Sequence, residues 1–266
     1  MNPQILHDTA RRYLAERYTE LAARYSRLPN HGRAADGYHY TDEAKAIFPR
    51  YGVVDAVLVE VERLDGDRLP GSSRLADLLV RAAGTAGPVF TDPAREIEAQ
   101  AASEERDRFT RQVRVWAATA DLRAEPVGYR RVLSEDEAAR WRERLTARWG
   151  LVDLAWHPMI AADIPADVTI VQGEALWEEP VVDAFRHALD RLGVRRVIEL
   201  REYGPEYAVE VNLTAPRYTG AEGVWSDESS SWIAYASHEG TVAFGGTLVP
   251  VLEQVWPGVN SRRWTP

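Results

Sequence analysis

The chain contains no cysteine, which excludes disulfides, thiolate metal ligation and thiol catalysis together. Lysine is almost as scarce: of 32 basic residues, only Lys45 is a lysine. Schiff-base chemistry and a Walker-type phosphate lysine therefore have a single candidate, and Lys45 follows no glycine-rich loop. Arginine in place of lysine reads as GC-rich codon usage, as in a high-GC bacterium, and carries no functional message of its own. No stretch reaches the roughly 18 consecutive apolar residues of a membrane span. Met1 to Asp8 lack a basic segment followed by an apolar one, so no secretion signal is expected and the cytoplasm is the expected location.

Positive charge is also in short supply. The net charge of −9 divides unevenly: residues 1–125 hold 20 acids against 18 bases, and residues 126–266 hold 21 against 14. Nucleic-acid binding needs a basic face to meet phosphates, so this balance argues against it and suits a basic protein partner better. Tryptophan is absent from the first 115 residues, and all nine lie between Trp116 and Trp264. That split suggests a helical region over residues 1–123 and a sheet domain over 124–266.

With 266 residues, 45% apolar and 27% charged, the chain can bury one large core or two modest ones. In the front region Leu14, Tyr18, Leu21, Tyr25 and Leu28 recur at helical spacing, and Pro29 to Arg33 end that helix. Thr41 is the expected cap of a short helix through Phe48. Val53–Leu64 has the β-branched content of a strand, but Val54, Val57, Leu58 and Val61 also fit a helical stripe, and it is read as a further helix. Ser72 or Ser73 is expected to cap a helix through Ala83. A long helix follows from Pro93 to about Leu122, with its charged middle, Glu104 to Arg108, expected to be exposed or to cross between the regions.

The back region alternates elements: a strand over Val127–Leu133, then a helix over Glu135–Trp149 under a Ser134/Glu137 capping box. Strands are expected at Val168–Val171, Val194–Tyr203, Tyr207–Leu213, Trp232–Ser237 and Thr241–Phe244, with helices at Pro180–Leu192 and Leu248–Trp256. The fold class is α+β: a helical N-terminal region packed on a C-terminal, mostly antiparallel sheet with helices on one face.

Three groups of residues are candidates for chemistry. If Gly204 and Pro205 are the central residues of a two-residue turn, Glu199 stands opposite Glu210 on the polar face, with Leu200–Val209 and Ile198–Val211 on the apolar one. Carboxylates about 5 Å apart repel unless a cation or a shared proton intervenes, which is also how acidic pairs bind divalent metals. A solvated sheet face balanced by Arg201 is the plainer account. His238, in Ser237-His238-Glu239-Gly240 at a hairpin tip, is the third member of a possible catalytic set if it meets those two acids; a turn histidine is the plainer account. Alternation keeps Ser237 and His238 apart along the strand, and no G-x-S-x-G elbow, H-E-x-x-H pair or Walker motif occurs. Gly245-Gly246 reads as a tight strand-to-helix connection.

Lastly, residues 216–231 read as a polar loop in which Tyr218 and Trp225 stand with Asp227 and Glu228, aromatic anchors ringed by acids as on recognition surfaces. The plainer alternative has Trp225 cap a sheet edge. The ending Trp232-Ile233-Ala234-Tyr235-Ala236-Ser237-His238-Glu239-Gly240, with Val242 to Gly246, resembles the strand-turn-strand endings of small bacterial immunity-type and accessory proteins. It covers about fifteen residues and transfers no functional residue.

The sequence alone does not decide between enzyme and binding protein. The preferred reading is a non-enzymatic, immunity-like or accessory binding protein of the bacterial cytoplasm. It would need no cofactor and would take a basic protein partner through Tyr218, Trp225, Asp227 and Glu228. The alternative is a metal-assisted hydrolase, with a nuclease as one form, using Glu199, Glu210, His238 and a divalent metal.

Overall fold

The computed structural model describes residues 2–28, 32–34, 37–87, 95–158 and 167–264, with 32–34 and 37–39 described in backbone only. The chain forms two compact units, Met1–Val127 and Gly128–Pro266. The first is helical and the second carries an antiparallel sheet with helices, an α+β architecture. No helix among the described residues is long and apolar enough to cross a membrane.

The first unit is built on α1 (Pro3–Ser26), α2 (Asp42–Glu62), α3 (Ser72–Thr85) and α4 (Glu96–Ala118), with a short antiparallel pair, β1 (Gly32–Ala34) and β2 (Gly37–His39), after α1. Asn2 caps α1 by accepting from Gln4 N at 2.9 Å, with Pro3 in the first turn, where its missing N–H costs nothing. Thr41 caps α2 as its sequence suggests. That helix, however, runs unbroken through Pro49 to join the two segments read as separate helices. Ile47, Val53, Val54, Val57 and Val61 then form one buried stripe, whose burial offsets the interior proline. The cap of α3 is Gly71 and makes no side-chain bond, so neither Ser72 nor Ser73 holds that position. Pro93 lies outside the described residues, and α4 begins at Glu96. The core gathers Leu6, Leu14, Leu21, Leu75, Leu79, Phe109 and Val113.

The charged middle of α4 is not wholly exposed. Glu105 is 2% exposed, held by Arg17 through two bonds of 2.8 and 3.0 Å and approached by Arg50 at 3.4 Å. Arg11 and Glu62 form a second buried pair at 3.1 Å. A charge-dense helical segment looks the same in sequence whether its carboxylate meets water or an arginine on another helix.

The second unit is ordered β3 (Arg130–Val132), α5 (Glu135–Trp149), β4 (Val168–Gln172), α6 (Glu179–Arg191), β5 (Arg196–Arg201), β6 (Tyr207–Glu210), β7 (Gly223–Ser226), β8 (Trp232–Ala236), β9 (Thr241–Gly246) and α7 (Leu248–Val255). The strands form one sheet in the order β3-β6-β5-β7-β8-β9-β4, and every pairing is antiparallel. The Ser134/Glu137 capping box is present, and α5 ends at Gly150 in the left-handed region.

Helices cover both faces, where the sequence reading placed them on one. Ile233 and Tyr235 of β8 pack with Ala138 and Leu145 of α5. On the opposite face Trp232 and Phe244 meet Phe185 of α6, with ring centroids 6.4 and 5.8 Å apart. All five residues of β8 are buried. Alternation therefore separates two apolar layers there, instead of core from solvent.

Candidate functional site

The pairing of β5 with β6 differs from the sequence expectation by three residues. Glu199 stands opposite Tyr207, Ile198 opposite Ala208, Val197 opposite Val209 and Arg196 opposite Glu210. The turn is longer than Gly204-Pro205 because Glu206 is held elsewhere. Arg142 of α5 donates to its carboxylate at 2.6 and 3.0 Å, and its carbonyl accepts from Leu133 N at 2.8 Å. An odd offset reverses facing, so Glu199 and Glu210 lie on opposite faces of the sheet.

Each acid has its own structural partner. Glu199 faces Arg201 at 3.4 Å. Glu210 clamps the segment before β3: its Oε2 accepts from Tyr129 N at 2.9 Å, while its own N–H donates to Tyr129 O at 2.8 Å. The acidic pair proposed from sequence does not form. Among the described residues, no group of three or more His, Asp or Glu side chains is arranged to hold a metal ion.

The loop expected over 216–231 contains β7, which inserts between β5 and β8. Trp225 lies in that strand, opposite Glu199 and Ala234, and is 3% exposed. It is a core residue and not a surface anchor. Asp227 closes the next turn by accepting from Ser229 N at 3.0 Å, with Glu228 exposed beside it. Tyr218 alone of the four expected contact residues reaches a different and denser group. Gly245-Gly246 likewise has a packing role: the rings of Trp156 and Trp149 lie so close over these glycines that a Cβ at Gly245 would meet them at 2.8 and 3.3 Å.

That denser group follows from the order of the central strands. Arg201 pairs with Gly223, and Gly223 with Ala236. The residues just beyond these pairs, Glu202, Glu222 and Ser237-His238, therefore line up across one end of β5, β7 and β8. The backbone continues the row, since Glu202 N donates to Glu222 O at 3.0 Å.

Glu222 is its anchor. Its Oε1 accepts from Ser237 Oγ at 3.2 Å, from His238 N at 3.3 Å and from His238 Nδ1 at 2.5 Å, and its Oε2 accepts from the Tyr235 hydroxyl. Burial alone would raise this carboxyl's pKa, but the bonds from Tyr235, His238 and Ser237 outweigh it and hold the group below its usual value. Tyr235 is pushed up in turn, first by burial and then by the adjacent carboxylate. Its hydroxyl also lies 3.3 Å from His157 Nε2, with the two rings edge to face at 5.2 Å.

Around this anchor the surface is acidic and aromatic. Glu202 and Glu239 are exposed, as are Tyr203 at 59% and Tyr218 at 37%. Tyr218 is raised above its ordinary pKa by desolvation and then by Tyr203, Glu202 and Glu222. Ion pairs of Glu222 and Glu239 run to His238. Among the described residues no arginine or lysine is paired with Glu202, Glu222 or Glu239.

His238 therefore has carboxylate neighbours, but they are Glu222 and Glu239 and not Glu199 or Glu210. Sequence reasoning passed over Glu202, Tyr203 and Glu222, because only the missed strand β7 brings them together. No family model, curated protein or solved structure matches this chain.

Proposed function

We propose that this is a non-enzymatic binding protein of the bacterial cytoplasm that takes a basic protein partner at the acidic, aromatic end of its sheet unit. Neutralising that partner, as an immunity-like protein does, is its concrete form. The observation that supports it is the row of Glu202, Glu222 and Glu239 beside exposed Tyr203 and Tyr218, with no arginine among the described residues paired to the acids. Carboxylates that outnumber the cations beside them attract, together with exposed rings, a guanidinium or ammonium through charge and through the ring faces. The hydrolase alternative calls for Glu199 and Glu210 together, and the two lie on opposite faces of the sheet.

The test compares two variants with the same change in charge. In one, Glu202→Gln and Glu239→Gln neutralise the row; in the other, Asp227→Asn and Glu228→Gln neutralise the neighbouring turn. Binding of a labelled hepta-arginine peptide, followed by fluorescence anisotropy, should weaken about tenfold in the first and less than about twofold in the second. Equal losses would mean that net charge alone draws the peptide, and would contradict the assignment.

A further inference from the structure

His238 holds a carboxylate at each ring nitrogen: Nδ1 lies 2.5 Å from Glu222 Oε1, and Nε2 lies 3.1 Å from Glu239 Oε1. A neutral imidazole has one N–H and one lone pair, while a carboxylate only accepts. The Glu222 contact is a hydrogen bond and the Glu239 contact an ion pair, and the ion pair exists only while the ring is charged with a proton on each nitrogen. We propose that His238 is a proton-operated clamp, which as imidazolium ties Glu239 back to the turn and on losing its proton releases Glu239 to a basic partner. This regulation rests on the surface proposed above for partner binding.

The asymmetry of the two carboxylates decides which contact opens. The Glu222 side chain is 12% exposed and fixed by Tyr235, Ser237 and the His238 backbone. The Glu239 side chain is 67% exposed, and its ion pair is the one with His238. The last ring proton therefore stays on Nδ1, facing the anchored acid. Nε2 then turns a lone pair toward Glu239, and the contact becomes repulsive.

The backbone does not have to move. Ser237 N donates to Thr241 O at 3.0 Å, Glu239 N donates to Ser237 Oγ at 3.1 Å, and Gly240 supplies the positive φ of 72° that the turn requires. Only the Glu239 side chain is freed.

The groups facing His238 are Glu222 at the head of β7, Glu202 at the end of β5 and Glu239 in the turn itself. Tyr235 of β8 and, beyond it, His157 lie behind Glu222. The three carboxylates favour the charged ring, so His238 titrates above its ordinary value of 6.5, first through its bond to Glu222. Loss of the proton also removes the positive charge that His238 sets against these acids. The surface thus becomes more attractive to a cation as pH rises.

The test uses the full chain in two measurements. A carbon-13 NMR titration follows the His238 ring in the wild type and in Glu239→Gln, and anisotropy follows the hepta-arginine peptide at pH 6 and pH 9. The wild-type ring should titrate above 6.5, and Glu239→Gln should lower that value. The peptide should bind about fivefold more tightly at pH 9, as expected for one added surface charge, and His238→Gln should remove that pH dependence. An unchanged ring titration in Glu239→Gln overturns the clamp, as does peptide binding of equal strength at both pH values. If the peptide binds at neither pH, the partner surface falls instead. The clamp then stands if Glu239→Gln lowers the ring's titration, and falls if it does not.

Discussion

The helical unit and the sheet unit treat their charges in opposite ways. In the helical unit, carboxylates are drawn into the interior and matched with arginines from other helices: Glu62 with Arg11, and Glu105 with Arg17 and Arg50. In the sheet unit, Glu206 and Glu210 act as structural clamps, but Glu202, Glu222 and Glu239 gather at one end of the sheet, where among the described residues only His238 forms ion pairs with them. The first arrangement fixes how helices meet. The second leaves acids at one end of the sheet that, among the described residues, no arginine or lysine pairs. Near-balanced and acidic segments of sequence thus correspond to different uses of the same residue types.

The largest effect is expected where a buried charge loses its partner. Glu105→Ala strands Arg17 and leaves Arg50 without its second carboxylate, and should cost about 3–5 kcal/mol. Urea denaturation followed by circular dichroism would measure it, and a loss below about 1 kcal/mol would mean that this network is not what holds the helices.

A second break in the helical unit comes from pH. His7, on α1, is 2% exposed, its Nε2 lies 3.3 Å from Val61 O, and burial first of all lowers its pKa from 6.5 to about 4. The unfolded chain therefore binds a proton that the folded chain refuses between these values. Stability from this residue is complete above pH 6.5 and declines as pH falls toward 4, by about 3 kcal/mol in all. Denaturation midpoints across that range should show the slope, and His7→Gln should flatten it.

Within the sheet unit, Glu222→Gln replaces a carboxylate that receives four hydrogen bonds, and should destabilise by about 1–3 kcal/mol. It should also lower the titration of the His238 ring, which NMR would follow directly. Tyr203→Ala and Tyr218→Ala alter exposed rings, and each should change stability by less than about 0.5 kcal/mol while weakening peptide binding. A large loss of stability in either would make these tyrosines part of the core.

Much of the fold could be read from local chemistry. The Ser134/Glu137 box, Thr41 at the head of α2 and the helical stripe through Leu14 and Leu21 are each written in a few neighbouring residues. What could not be read was set by distant partners. The β5–β6 register depends on Arg142 and Leu133 holding Glu206, and a rule based on Gly204-Pro205 sees neither. The strand β7 is four residues long and is defined by neighbours on both sides, so its loop-like flanks concealed it. With β7 hidden, Trp225 looked like an exposed anchor and Glu222 like one loop acid among several. Tyr218 was singled out from its exposed-looking context, yet the residues around it are not the ones adjacent in sequence.

The most direct measurement is a map of amide chemical-shift changes on adding hepta-arginine peptide to the nitrogen-15-labelled chain. The largest changes are expected at residues 201–204, 218–222 and 237–240. Changes centred on Asp227 and Glu228, or spread over the acids of the helical unit, would contradict the proposed surface.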